Sequence, residues 1–248
     1  MQIVLSLYRF FWNNFPPAEL IAWLLPLTLL WSFAALYLAA YLKRDKGWKT
    51  GYTRKVFHFI IFFSAILIQS LYQLQGVFIL GWAVSAVVFL ACLKGNGHWW
   101  YEALAREKDA PFRTQYILIS YLATFAGGVC ANMWFGTFAV LGYAVTGISD
   151  AVAEPVGTRW GRHTYRVLSG GKRTPAYKSL EGSAAFFISA VLILLLISSS
   201  TTAFELSFPI VLIVAFICTV TEAYAPPGTD NFLLQLAAGG CAMWLASL

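Results

Sequence analysis

Long apolar runs, most of them about one bilayer crossing in helical length, dominate the chain, and polar residues collect in the intervals between them. Eight runs can be read, at about 19–42, 56–74, 76–93, 115–131, 135–153, 182–200, 207–223 and 231–248. A helix needs about 20 apolar residues to cross the hydrocarbon core, so the short fifth and seventh runs require tilt or local thinning. Gly76, Gly136, Pro209 and the Pro226-Pro227-Gly228 step punctuate the joins, as residues that break helices do. The pattern predicts an all-α fold, a polytopic membrane helix bundle of about eight transmembrane helices. Seven is the alternative, with one short run re-entrant. No internal repeat or low-complexity tract is visible, and residues 1–248 read as a single integral-membrane domain.

Composition strengthens this picture. The chain is 59% hydrophobic and 11% charged, against about 25% charged in an ordinary soluble domain, too little to coat a soluble globule. The first twenty residues lack a basic start, apolar core and small-residue cleavage site, and read as an aromatic, amphipathic interfacial lead-in. Cys92, Cys130, Cys218 and Cys241 are scattered through apolar runs without a CxxC, and read as small buried apolar residues.

Charge then orients the bundle. Of 17 Lys and Arg, all but Arg9 fall in three intervals, after the first, third and fifth runs. With eight spans these basic loops share one face, which the positive-inside rule makes cytoplasmic, with both termini opposite; seven spans would scatter them. The net charge of +6 is therefore juxtamembrane, which argues against nucleic acid and for a bilayer or anionic lipid as partner. Asp150, Glu154, Glu181, Glu222 and Asp230 fall at or near the same ends of the later runs. A carboxylate inside a span costs about 2.5–3.5 kcal/mol, so five on one face, with cations between them, point to a polar pocket at the interface.

Two stretches carry candidate chemistry. In ISDAVAEPVGTRWGRHTYR, Ile148 to Arg166, a continuing helix puts Asp150 and Glu154 on one face at i, i+4 spacing, with Pro155 expected to end or bend it. Two such carboxylates near water suit Mg²⁺, which takes one or two carboxylates plus substrate phosphates. An ordinary helix end with snorkelled acids is the alternative. Gly142, Ala144, Gly147, Ser149, Ala151 and Ala153 would let this helix pack tightly in the bundle. In Gly157 to Ser183, glycines alternate with cations, a composition that can wrap backbone N–H groups and side chains around polyphosphate. A positive-inside loop explains the cations but not the glycines. Ser179 can cap the next helix, whose N-terminus favours an anion. No Walker A, HRD or DFG string occurs. The stretch Tyr101 to Tyr116 reads as an amphipathic strip on the membrane surface, and His98 as an interfacial residue beside Trp99 and Trp100.

SDxxAExxGxRxGRHxY from Ser149 to Tyr165, KSLEGS from Lys178, Arg54-Lys55-x-x-His58, Glu222 and Asp230-Asn231 together resemble the CTP-dependent polyprenol kinases, the dolichol kinase and phytol kinase group. They are also similar to the related CTP-dependent diacylglycerol kinases and CDP-diacylglycerol synthases. The resemblance implies transfer of the γ-phosphoryl group of CTP to a membrane lipid alcohol, with Mg²⁺. It implies Asp150 and Glu154 at the metal. Gly157, Arg159, Gly161, Arg162 and His163 would meet the nucleotide, and Lys178, Ser179, Glu181 and Gly182 would complete the phosphate pocket. Arg54, Lys55, His58 and Asn231 join the binding set; for His58 the residues alone allow a phosphate ligand, a base or an interfacial histidine. Asp230 or Glu181 would accept the hydroxyl proton, and Trp160 and Tyr165 are stacking candidates for the base. Ser149 stands where many relatives have Gly. The insert VLSGGKRTPAY, from Val167, lengthens the link to KSLEG and leaves the roles of Lys172 and Arg173 open. A cytidylyltransferase attacking the α-phosphorus is the nearest rival, and a small transporter the non-enzyme one. The sequence leaves the acceptor, the oligomeric state (a homodimer included) and the membrane unassigned.

Overall fold

The computed structural model of the protein describes residues 2–167, 176–226 and 228–248; Gly170, Gly171, Lys172 and Arg173 lie outside them. Four continuous helical stretches, Ala18–Arg44, Thr50–Lys94, Arg113–Trp160 and Leu180–Ser200, are long and apolar enough to cross a membrane. Two of these turn back on themselves. A short helix α1 (Gln2–Asn13) precedes α2 (Ala18–Arg44), and α3 (Thr50–Lys94) breaks at Tyr72 and Gln73, where Gln73 takes φ 55°. Gly76 lets the two halves close up, because a Cβ there would lie 2.6 Å from both Ile68 and Tyr72. After α4 (Trp99–Leu104), α5 (Arg113–Phe135) ends at Gly136, at φ 55°. The chain then returns through α6 (Ala139–Ala144), a π-helical turn (Val145–Ser149) and α7 (Asp150–Trp160). With α8 (Leu180–Ser200), α9 (Phe208–Tyr224) and α10 (Asp230–Ala246), eight rods after α1, counted among the described residues, answer to the eight apolar runs. The protein is an all-α integral membrane bundle, and large apolar side chains such as Leu30, Leu192 and Phe216 stand on its outside, where lipid rather than water can cover them.

Two apolar cores hold the rods. One joins α2, α3 and α4 through Leu36, Phe57, Leu80, Val87 and Tyr101; the other joins α6, α8, α9 and α10 through Leu141, Phe186, Leu194, Val214 and Leu234. Small residues bring the backbones close between rods, as membrane packing favours. Gly142 lies against the Gln235 backbone, and a Cβ on Gly147 would sit 2.2 Å from the Phe62 Cβ.

Three local features depart from the sequence pattern. Pro155 neither ends nor breaks α7, which runs on to Trp160. A proline removes one N–H and crowds the carbonyl four residues back, a cost that membrane helices tolerate where neighbouring helices or side chains satisfy the freed group. Residues 164–167 and 176–179 form an antiparallel pair, β1 (Thr164–Val167) and β2 (Ala176–Ser179), with Thr164 opposite Ser179 and Tyr165 opposite Lys178. The alternating TYRV and AYKS suit a half-buried strand. The stretch from Tyr101 does not lie as a strip on the bilayer surface. Tyr101, Ala103 and Leu104 are buried, and Thr53 donates to the Ala103 carbonyl at 2.9 Å, which packs this segment on the start of α3. His98 caps α4 by accepting the Trp100 N–H.

Gly147→Ala is expected to destabilise the folded protein by about 1–3 kcal/mol through overpacking. Gly81→Ala, whose added Cβ meets nothing within 4 Å, should leave thermal unfolding in detergent unchanged or slightly raised.

Candidate active site

At one end of the bundle the rods surround a cavity of about 450 Å³. The first turns of α3 supply Arg54, Lys55 and His58, and the segment before α5 supplies Arg106 and Lys108. α7 adds Asp150, Glu154 and Gly157, and the β2–α8 junction adds Lys178, Ser179 and Gly182. Glu222 of α9 and Asp230 and Asn231 of α10 complete the charged lining. Among the described residues five cations thus face four carboxylates, at the junction of the two apolar cores.

Lys55 stands at the centre. Its ammonium bonds the Asp150 carboxylate and lies 3.6 Å from Glu154. One helical turn separates the two acids, so both reach the same cation. Single buried charges are costly, and each of these is tolerable because the others are present. Arg106 extends the network, 3.8 Å from Glu154 and 2.9 Å from Asp109. Burial works against its charge, but Glu154 and Asp109 outweigh that and raise its pKa above the usual arginine value.

The π turn sets the next contact. In an α-helix the Asp150 N–H would bond the Thr146 carbonyl; here it reaches back to Val145. The Thr146 carbonyl instead lies 2.9 Å from His58 Nε2, which also stands 3.7 Å from Asp150. Because a carbonyl only accepts, Nε2 carries the proton in this contact.

On the other side, Lys178 Nζ donates to Glu222 Oε1 at 2.5 Å and also to the Glu222 carbonyl. Arg54 donates to Ser120 at 2.7 Å, and Asn231 Nδ2 donates to Thr124 at 2.6 Å, so both tie the cavity to α5. Ser179 caps α8, accepting the Gly182 N–H at 3.1 Å.

Arg159, Gly161, Arg162, His163 and Glu181 lie outside the lining. Arg159 stacks over the exposed Trp160 ring at 5.1 Å. His163, 75% exposed in its side chain, pairs Nδ1 with Glu181 Oε1 at 2.8 Å, and Tyr165 OH is 2.7 Å from Ser183 Oγ. The glycines have a packing reason. A Cβ on Gly161 would stand 2.6 Å from Ser179 Oγ, and Gly157 and Gly182 approach each other within a Cβ contact of 3.2 Å, so they let α7 meet the start of α8. Arg106 and Lys108 had no motif to mark them, because only the folding of their segment against α3 brings them in.

Asp150 and Glu154 are hard oxygen donors one helical turn apart, of the kind Mg²⁺ takes, and both also pair with the Lys55 ammonium. Among the described residues no group of three or more His, Cys, Asp or Glu is placed to hold a metal alone. They fit an ion whose other ligands are phosphate oxygens and water.

No family model matches the chain, and no solved structure matches it significantly. It is similar to a curated protein, a phytol kinase of Synechocystis sp., with 32% identity over 117 residues, covering 44% of this chain and 46% of that one. The matched region spans less than half of that relative.

Lys178→Met should cost about 3–5 kcal/mol by leaving Glu222, 9% exposed, unpaired. Adding Glu222→Leu should recover most of the loss in unfolding measurements in detergent. A second expectation concerns Glu102, which receives hydrogen bonds from Arg113 at 2.5 and 3.2 Å. These bonds hold its pKa below the usual glutamate value, against burial. A lowered carboxylate contributes stability that is full above its unfolded pKa and is lost as pH falls through the folded one. Glu102→Gln should therefore flatten the acid limb of the stability–pH curve.

Proposed function

We propose that this membrane protein is a lipid alcohol kinase. It transfers the γ-phosphoryl group of CTP to the hydroxyl of a membrane isoprenoid alcohol, with Mg²⁺, at the cytoplasmic interface. The observation that carries the reading is the cavity itself, lined by Lys55, Asp150, Glu154 and Lys178 at one end of a lipid-facing bundle. Partial similarity to a phytol kinase supports the reaction class. The Ser149–Tyr165 and KSLEGS motifs, resembling CTP-dependent polyprenol kinases, support the donor. Sidedness rests on the basic loops, which the positive-inside rule puts in the cytosol.

Phosphoryl transfer asks a protein chiefly for positioning and charge compensation. Arg54, Arg106, Lys108 and Lys178 provide cations for the phosphates, and Ser179 orders the N-terminus of α8, whose free N–H groups favour an anion. Asp150 and Glu154 would hold Mg²⁺, which offsets phosphate charge when bound. Lys55 positions both carboxylates, and His58 braces Asp150 against α6–α7. Asp230 lines the cavity while Glu181 is paired with His163 outside it, so Asp230 is assigned the hydroxyl proton. As the alcohol oxygen bonds the γ-phosphorus, that proton passes to the carboxylate and CDP leaves.

The test uses purified protein, labelled CTP and a panel of lipid alcohols. Wild type should release CDP and label the lipid, and Asp150→Asn should lower the rate at least about 100-fold in protein that still unfolds cooperatively, at a lower temperature because Lys55 loses one of its two carboxylate partners. Near-normal turnover in that variant removes the metal assignment; pyrophosphate release assigns cytidylyl transfer instead.

A further inference from the structure

A second cavity, about 370 Å³, lies among α1, both halves of α3, α5 and α6. Phe11, Phe15, Phe62, Phe78, Trp82 and Phe125 give it apolar walls. Its hydroxyls are already engaged: Tyr143 accepts from Asn132 at 2.7 Å, Thr124 donates to the Ser120 carbonyl at 2.9 Å, and Tyr121 bonds Ser85. Such walls favour hydrocarbon and give a polar ligand little.

Position matters as much as polarity. The wall between the two cavities carries two side-chain pairs. His58, on the charged cavity, packs on Phe62, on the apolar one, with ring centroids 4.6 Å apart. Asn231, on the charged cavity, bonds Thr124, on the apolar one. From there the apolar cavity runs along α3: Ile61 and Leu74, both on its wall, lie on either side of the break at Tyr72 and Gln73, and the helix from Ile61 to Leu71 before that break is about 15 Å long at a rise of about 1.5 Å per residue. That is about half of a hydrocarbon core of about 30 Å. Along the returning half of α3, α1 and the residue Phe15 after it cover part of the cavity, Phe11 stacking on Phe78 at 5.5 Å and Phe15 packing on Trp82 at 5.8 Å.

The geometry points to this cavity as the seat of the acceptor's hydrocarbon tail. The inference rests on the kinase reading and deepens it. The tail lies along α3, and its hydroxyl end passes between the His58–Phe62 and Asn231–Thr124 pairs into the charged cavity. The volume is at the small end of the roughly 300–1,000 Å³ range of small-ligand sites, room for one chain and not for two. The break of α3 beside Leu74 marks the far end and sets the depth. The site therefore selects a single-chain isoprenoid of intermediate length over diacylglycerol and over long polyprenols.

Gly81 allows a direct test, since it lines this cavity and a Cβ on it meets nothing within 4 Å. Gly81→Leu fills the space without touching the charged cavity. In detergent, wild type should prefer a twenty-carbon isoprenoid alcohol to diacylglycerol and to a long polyprenol. The variant should lose about tenfold in kcat/KM on the twenty-carbon substrate, the worth of roughly two displaced methylenes. It should keep its rate on a ten-carbon alcohol and its thermal shift with CTP–Mg²⁺. Equal loss at every chain length, or none, with that shift intact, overturns the assignment.

A second measurement does not depend on turnover. A twenty-carbon alcohol carrying a diazirine at its tail should cross-link α1 or residues 78–82 in the wild type, and free single-chain alcohols should compete. Labelling confined to the outer surface, or displaced by phospholipid alone, places a bilayer lipid there and overturns the tail site. If the walls are labelled and alcohols compete but no alcohol is phosphorylated, the tail site stands and the kinase reading falls.

Discussion

One ammonium group shared by two carboxylates organises the charged end of this protein. Without Lys55, Asp150 and Glu154 would be two like charges one turn apart, and with it they become a pinned pair. The same contact fastens the first turn of α3 to α7, so it bridges the two apolar cores. Arg106 then has a negative partner to approach, and His58 a fixed neighbour. Buried ionic groups are individually unfavourable and mutually dependent. The cavity is thus better regarded as one electrostatic unit than as a list of ligands.

The sequence made the bundle legible because bilayer physics leaves few options. Backbone groups in lipid must be satisfied internally, so each apolar run became a rod, and the clustering of Lys and Arg kept the count even. The convergence of Asp150, Glu154, Glu222 and Asp230 was readable for a related reason, since acids in such runs sit at their ends unless something holds them. Roles that depend on tertiary contacts were less visible. Gly157, Gly161 and Gly182 read as a phosphate loop, and in the fold they also let two backbones touch. Arg106 and Lys108 were lost in a mixed-charge stretch whose folding against Thr53 no periodicity announces. Pro155 read as a helix end because residue type alone does not mark a proline that its helix runs through.

The charged and apolar cavities share a wall but have different surroundings. The first gathers loops and helix ends, where water and ions arrive; the second lies among rods whose outer faces meet lipid. Residues on the shared wall face both ways. His58 has a polar edge toward Asp150 and a flat face on Phe62, and Asn231 reaches α5 while its neighbour Asp230 stays on the charged side.

The π-helical turn at Val145–Ser149 has a consequence for phase. It inserts one residue beyond regular winding, and each residue advances a helix by about 100°. Upstream of it, the face of α6 is keyed to the Gln235 backbone through Gly142; downstream, α7 is keyed to Lys55 and to the start of α8. A regular helix could satisfy one of these dockings or the other. Shortening the turn by a single residue would swing both acids a quarter-turn or more away from their cation while leaving the hydropathy profile untouched, so the extra residue works as an angular gear between the packing half of the rod and its chemical half.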